Sequence, residues 1–165
     1  MKIDVSKLSL TKEFKLVEQV SFDPNRFVLH RPLLEVLNCE VTCKVQRFEE
    51  FIYMNISLVS KVVLECSYTL KPFQETLRSN EELHFAPSKD EYDDDLIVYK
   101  GNVIDLDEYV FNILSAAVPL SPKSKGAKMS AEGKGYRVIS EEDLAKEMSD
   151  KGNSAFDCLK DLDLD

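Results

Sequence analysis

Four cysteines and two histidines hold most of the reactive chemistry available to this chain of 165 residues. Cys39 and Cys43 fall within Leu37 to Gln46, where apolar and polar residues alternate strictly. Both therefore lie on the apolar face of a half-buried strand, in phase with Leu37, Val41 and Val45. Small thiols at such positions belong in a core. Cys66 is placed differently: it ends a second alternating run and opens the turn Cys66, Ser67, Tyr68, Thr69, Leu70. A zinc knuckle requires another cysteine three residues on, where this chain has Thr69, and a structural zinc takes about four thiolate or imidazole ligands. Ser67 and Thr69 are read instead as hydrogen-bonding turn residues. Cys158 has no partner at knuckle spacing. His30 and His84 sit in no nucleophile motif, and His84 occupies the polar side of the Leu83–Phe85 alternation. There is no G-x-S-x-G, no glycine-rich phosphate loop and no H-E-x-x-H. The acids Asp90, Glu91, Asp93, Asp94 and Asp95 lack the glycine and the regular oxygen spacing of a calcium loop. No catalytic residue, metal ligand, cofactor or small-molecule substrate is expected.

The elements that must position these residues change character halfway along the chain. A break at Arg47 to Glu50 joins the first run to a second, in which Ile52, Met54, Ile56, Leu58, Val62, Leu64 and Cys66 share one face, with Ser60 the exception. This predicts a long antiparallel hairpin with one face on a core. A third run places Phe73, Leu77, Leu83 and Phe85 together, and Phe14 to Phe22 is a weaker strand followed by a turn at Asp23 to Asn25. Leu106, Tyr109, Val110, Ile113, Leu114 and Ala117 then recur at helical spacing. Asp105 is the expected N-cap, Glu108 completes a capping box, and Pro119 ends the helix. Ser140 to Asp143 starts a short acidic helix running to about Met148, with acids well placed at its N-terminus. Phe156, Leu159 and Leu162 are expected to dock a last turn on the core. The fold class is α+β: an antiparallel sheet packed by one main helix. Residues 1–119 form the domain, 120–135 a flexible basic loop, and 136–165 an acidic segment that packs back on it.

Charge narrows the choice of partner. The net charge is -9, opposite in sign to the cationic footprint of a protein that binds nucleic acid through its phosphates. The acids concentrate at 90–95 and again beyond Val138, beginning with Glu141, Glu142 and Asp143. A partner with a basic surface fits that sign. The cations gather between Leu120 and Arg137, as Lys123, Lys125, Lys128, Lys134 and Arg137, the one stretch suited to direct RNA contact. No run approaches the ~20 apolar residues of a membrane span. The first residues, Met1 to Lys7, hold no apolar signal region, so a cytoplasmic location is expected.

Four segments in series carry a family resemblance. Val63 to Phe73 resembles the signature of the YceD family, the large ribosomal RNA subunit accumulation proteins, in which a strand ends in a cysteine-containing turn followed by leucine or glycine. The matching residues are Cys66, Ser67, Thr69, Leu70 and Pro72. Ile104, Asp105 and Leu106 are similar to the family's acidic helix start, and Val118 to Pro122 to its P-x-x-P ending. Tyr136 to Asp143 is similar to a segment of Gram-positive members, and Asn153 to Leu162 to the C-terminal P-F-x-x-L-x-x-L. Thr69 stands where many members carry a second cysteine but matches the Cys-x-x-Thr form of Gram-positive members, and the proline before Phe156 is absent. The resemblance implies participation in making or stabilising large-subunit ribosomal RNA, with a link to a large-subunit ribosomal protein. With no catalytic motif in the chain, the expectation is a non-catalytic factor that binds a basic large-subunit ribosomal protein or pre-ribosomal particle. Direct RNA binding through 123–137 is the alternative, and a metal-dependent enzyme ranks last.

Overall fold

A computed structural model describes residues 1–10, 12–88, 96–128, 132–133 and 136–151. The acidic residues Asp90, Glu91, Asp93, Asp94 and Asp95, together with Lys134, Cys158 and the C-terminal Phe156, Leu159 and Leu162, lie outside the described residues. The chain opens with β1 (Lys2–Asp4) and β2 (Phe14–Gln19). Three long strands follow: β3 (Leu33–Phe48), β4 (Phe51–Glu65) and β5 (Pro72–Ala86). Short β6 (Leu96–Val98) and β7 (Val103–Asp105) lead into α1 (Asp107–Ala116), and β8 (Glu132–Gly133) and β9 (Tyr136–Arg137) precede α2 (Glu141–Lys151).

The central sheet has the order β2-β3-β4-β5-β6, antiparallel throughout except where β6 runs parallel to β5. This is the α+β class that the alternating runs imply. Cys39, Val41, Cys43 and Val45 from β3 meet Ile52, Met54, Ile56 and Leu58 from β4 on one face, all buried. Ser60, the polar residue in that apolar series, is also fully buried, and its hydroxyl donates to the Asn38 carbonyl at 2.6 Å. A satisfied hydroxyl avoids the penalty of about 1–3 kcal/mol that an unpaired one would carry. The alternation misleads at one end of β3. Leu37, expected in phase with Cys39, is instead 44% exposed. The register shifts between Val36 and Asn38, and an inserted residue reverses which face the side chains point to.

The helix α1 covers this face through Val110, Ile113 and Leu114, packing on β4 and β5, with Tyr109 edge-on to Phe85 at 5.4 Å. Its cap position falls on Leu106, which makes no side-chain cap bond, so the expected box of Asp105 and Glu108 does not form. The Asp105 carboxylate instead accepts from the Asp107 N–H at 3.1 Å. Arg26 sits 3.6 Å from Asp105 and 3.5 Å from Asp107, and the amino group of Met1 is paired with Asp107. These contacts and the pairing of β1 with β7 fasten the chain's start beside the helix. Phe22, Phe27 and Phe111 pack as a ring cluster, with centroids 4.9–5.5 Å apart. Among the described residues no helix is long and apolar enough to cross a membrane.

Candidate functional site

The turn between β4 and β5 is built around Cys66. Its N–H donates to the Lys71 carbonyl at 3.0 Å, and its own carbonyl accepts from Leu70 at 2.8 Å. Closing so tight a loop puts Leu70 in the left-handed region, at φ 55°. Only glycine adopts that region without steric cost. The Leu70 side chain is 70% exposed, so no burial offsets the strain. Pro72 then starts β5 opposite Glu65.

A segment far along the chain closes over this turn. The Ser67 N–H donates to the Pro122 carbonyl at 2.8 Å. Ser124 donates to the Cys66 Sγ twice, from its N–H at 3.4 Å and its hydroxyl at 3.5 Å. Lys123, between them, lays its ammonium 4.4 Å from the centroid of the Tyr68 ring. Residues 122–124, read from composition as part of a flexible loop, are therefore tied to the hairpin turn. Ser124 is the site residue that sequence reasoning missed, while Tyr68 and Pro122 stood in recognised segments that nothing in the sequence brought together. The only available signal was the P-x-x-P segment, which gives no hint of where it docks.

The sulfur's surroundings favour a thiolate. The Ser124 N–H contributes most, followed by the hydroxyls of Thr69 and Ser124, and burial opposes them. Together they bring the Cys66 thiol from its ordinary 9.0 to about 6. Donors that bond the charged form lower a pKa, just as burial alone raises it. Cys43 shows the contrast: burial in the core pushes its thiol up to about 11. The Cys66 side chain is fully buried, so its sulfur is not presented to a substrate at the surface. The surrounding donors do not fit a zinc ion, because Thr69 and Ser124 offer hydroxyls where the metal takes thiolate or imidazole. Among the described residues no group of three or more His, Cys, Asp or Glu could hold a metal.

The described charged candidates are all exposed, and Lys123 is held in its charged form by Tyr68 and, more weakly, by Glu141 and Glu142. Besides Lys123, Arg137 is committed within the chain, its guanidinium 2.6 Å from both Glu147 oxygens. Lys125 and Lys128 are exposed. Glu141, Glu142 and Asp143 form the exposed first turn of α2. Ser140 caps that helix, accepting from the Asp143 N–H at 3.1 Å and donating to its carboxylate at 2.8 Å.

The class of protein is a family, and its match covers the chain from within β4 onward, leaving β1, β2 and β3 outside it. Residues 54–163, from β4 through the Cys66 turn, α1 and the docked segment to beyond α2, match the family model described as large ribosomal RNA subunit accumulation protein YceD. The chain belongs to the YceD family, a family of ribosome biogenesis. Comparison with curated proteins and with solved structures gave no match.

Proposed function

We propose that this protein is a non-catalytic, cytoplasmic ribosome-biogenesis factor. In this reading it supports accumulation of large-subunit ribosomal RNA by binding a basic large-subunit ribosomal protein, free or within a pre-ribosomal particle. The observation that carries the choice of partner is the division of charge. Among the four described cations suited to RNA, two have partners within the chain, Lys123 on Tyr68 and Arg137 on Glu147. The acids Glu141, Glu142 and Asp143 stand exposed, on a chain of net charge -9. A surface of that sign attracts basic chains and repels phosphates. The second reading, direct RNA contact, keeps the exposed Lys125 and Lys128 as its means.

The test is complementation in cells depleted of the protein, read as the ratio of large- to small-subunit ribosomal RNA. Depletion should lower that ratio selectively. A variant with Glu141→Gln, Glu142→Gln and Asp143→Asn should fail to restore it, and one with Lys125→Gln and Lys128→Gln should restore it fully. The reverse pattern would favour RNA contact. A ratio untouched by depletion would remove the assembly role altogether.

A further inference from the structure

The sheet face turned away from α1 is polar along most of its length, but its end beside the β3–β4 turn is aromatic. Phe48, Tyr53 and His84 stand in a line across three strands. The Phe48 and Tyr53 rings meet edge to face with centroids 5.6 Å apart, and Tyr53 meets His84 the same way at 4.8 Å. Tyr53 and His84 are direct cross-strand partners. Phe48 is 54% exposed and Tyr53 40% exposed, so neither ring belongs to the core. The three rings border a groove of about 660 Å³ that also takes in Glu13, Glu82 and Lys44. Each carboxylate is steadied by one amide: Gln46 donates to Glu13 and Asn55 to Glu82, both at 3.3 Å. A carboxylate accepting one such bond keeps lone pairs for a ligand.

Part-exposed rings beside carboxylates suit one kind of guest. The π face attracts a cation, arginine more often than lysine, while the carboxylate accepts the guanidinium fork in two parallel bonds. The groove's own charges, two carboxylates against one ammonium, have the sign such a guest needs. A single-stranded RNA would gain stacking on the same rings, but its phosphates would face Glu13 and Glu82. We propose that this groove binds an arginine-rich segment of a basic protein, a guanidinium seated on Tyr53 or Phe48 and paired with Glu82 or Glu13. The proposal rests on the reading that the partner is basic, and it locates a contact on residues separate from those of α2.

Titration calorimetry on the full chain tests it, with a nona-arginine peptide and an oligouridylate as probes. Wild-type protein should bind the peptide in preference to the RNA. Two groove variants, Phe48→Ala with Tyr53→Ala and Glu13→Gln with Glu82→Gln, should each weaken peptide binding on the order of tenfold, the scale of one or two such contacts. The carboxylate pair alters only side chains at the surface, so it remains informative if the aromatic pair unfolds. The α2 triple variant described above should bind the peptide nearly as wild type does. If the α2 variant loses the peptide and both groove variants keep it, the groove assignment falls while the basic-partner reading stands. If wild type ignores the peptide, both fall. RNA bound tightly and lost with the aromatic pair would overturn the proposal in favour of a base-stacking surface.

Discussion

Hydrogen-bond donors around the buried Cys66 sulfur, the Ser124 N–H first among them, bring its thiol down to about 6. Its stabilisation depends on donors rather than on a cation, so it should respond to pH. The folded thiol titrates near 6 and the unfolded one near 9.0. A group depressed in the folded state adds stability above its unfolded pKa and loses it as pH falls through the folded one. Denaturant midpoints of the wild type should therefore rise between about pH 6 and pH 9. In Cys66→Ser that increment should be missing, and identical slopes for the two proteins would contradict the hydrogen-bonded thiolate. The turn was legible from the sequence, because the alternating run ended at Cys66. Its second half was not, because Ser124 lies 58 residues downstream and local periodicity carries no information about such a contact.

The long strands were the most legible elements, most of all β4, where a period of two runs nearly the whole strand and one face is buried. In β5, by contrast, Glu75, Ser79 and Glu81 interrupt the apolar face. The bulge in β3 was not legible, because an extra residue leaves the alternation of residue types intact and changes only the pairing. Two substitutions separate these cases. Leu58, 1% exposed, should lose about 2–5 kcal/mol on change to alanine, the usual range for a buried leucine. Leu37→Ser should stay within about 0.5 kcal/mol, because the bulge has already turned that side chain outward. Equal losses in urea unfolding would mean that Leu37 packs as the simple alternation implies. The start of α1 was half legible. Asp105 was identified, but it acts from one residue further out than a cap, and the amino group of Met1 and Arg26 were not foreseen. Asp105→Ala should cost about 1 kcal/mol, the typical value of a lost helix-start bond.

At the scale of the molecule, net charge was the most useful quantity read from the sequence, and the paired state of Lys123 and Arg137 was the least accessible. Which cations are free depends on where Tyr68 and Glu147 come to rest, and that is a property of the fold. Affinity for a basic partner should fall at least about tenfold as salt rises from 0.1 M to 1 M, where the screening length drops from about 10 Å to about 3 Å. Constant affinity over that range would exclude exposed acids as the main contact. The same charges bear on a different matter. The short β6 pairs with β5 only at His84, Phe85 and Ala86. Among the described strands none continues along the outer edge of β5 from Pro72 to Leu83. A free edge of that length is a template on which another copy could add a strand. It begins with a proline and carries exposed Glu75, Arg78, Glu81 and Glu82. Such residues discourage an incoming strand, which would have to bury or oppose them. Changing Glu75, Arg78 and Glu81 together to threonine should give a sedimentation coefficient that climbs with concentration, whereas the native chain's should stay flat. These charges would then keep the protein soluble as separate molecules, a task independent of any ribosomal partner.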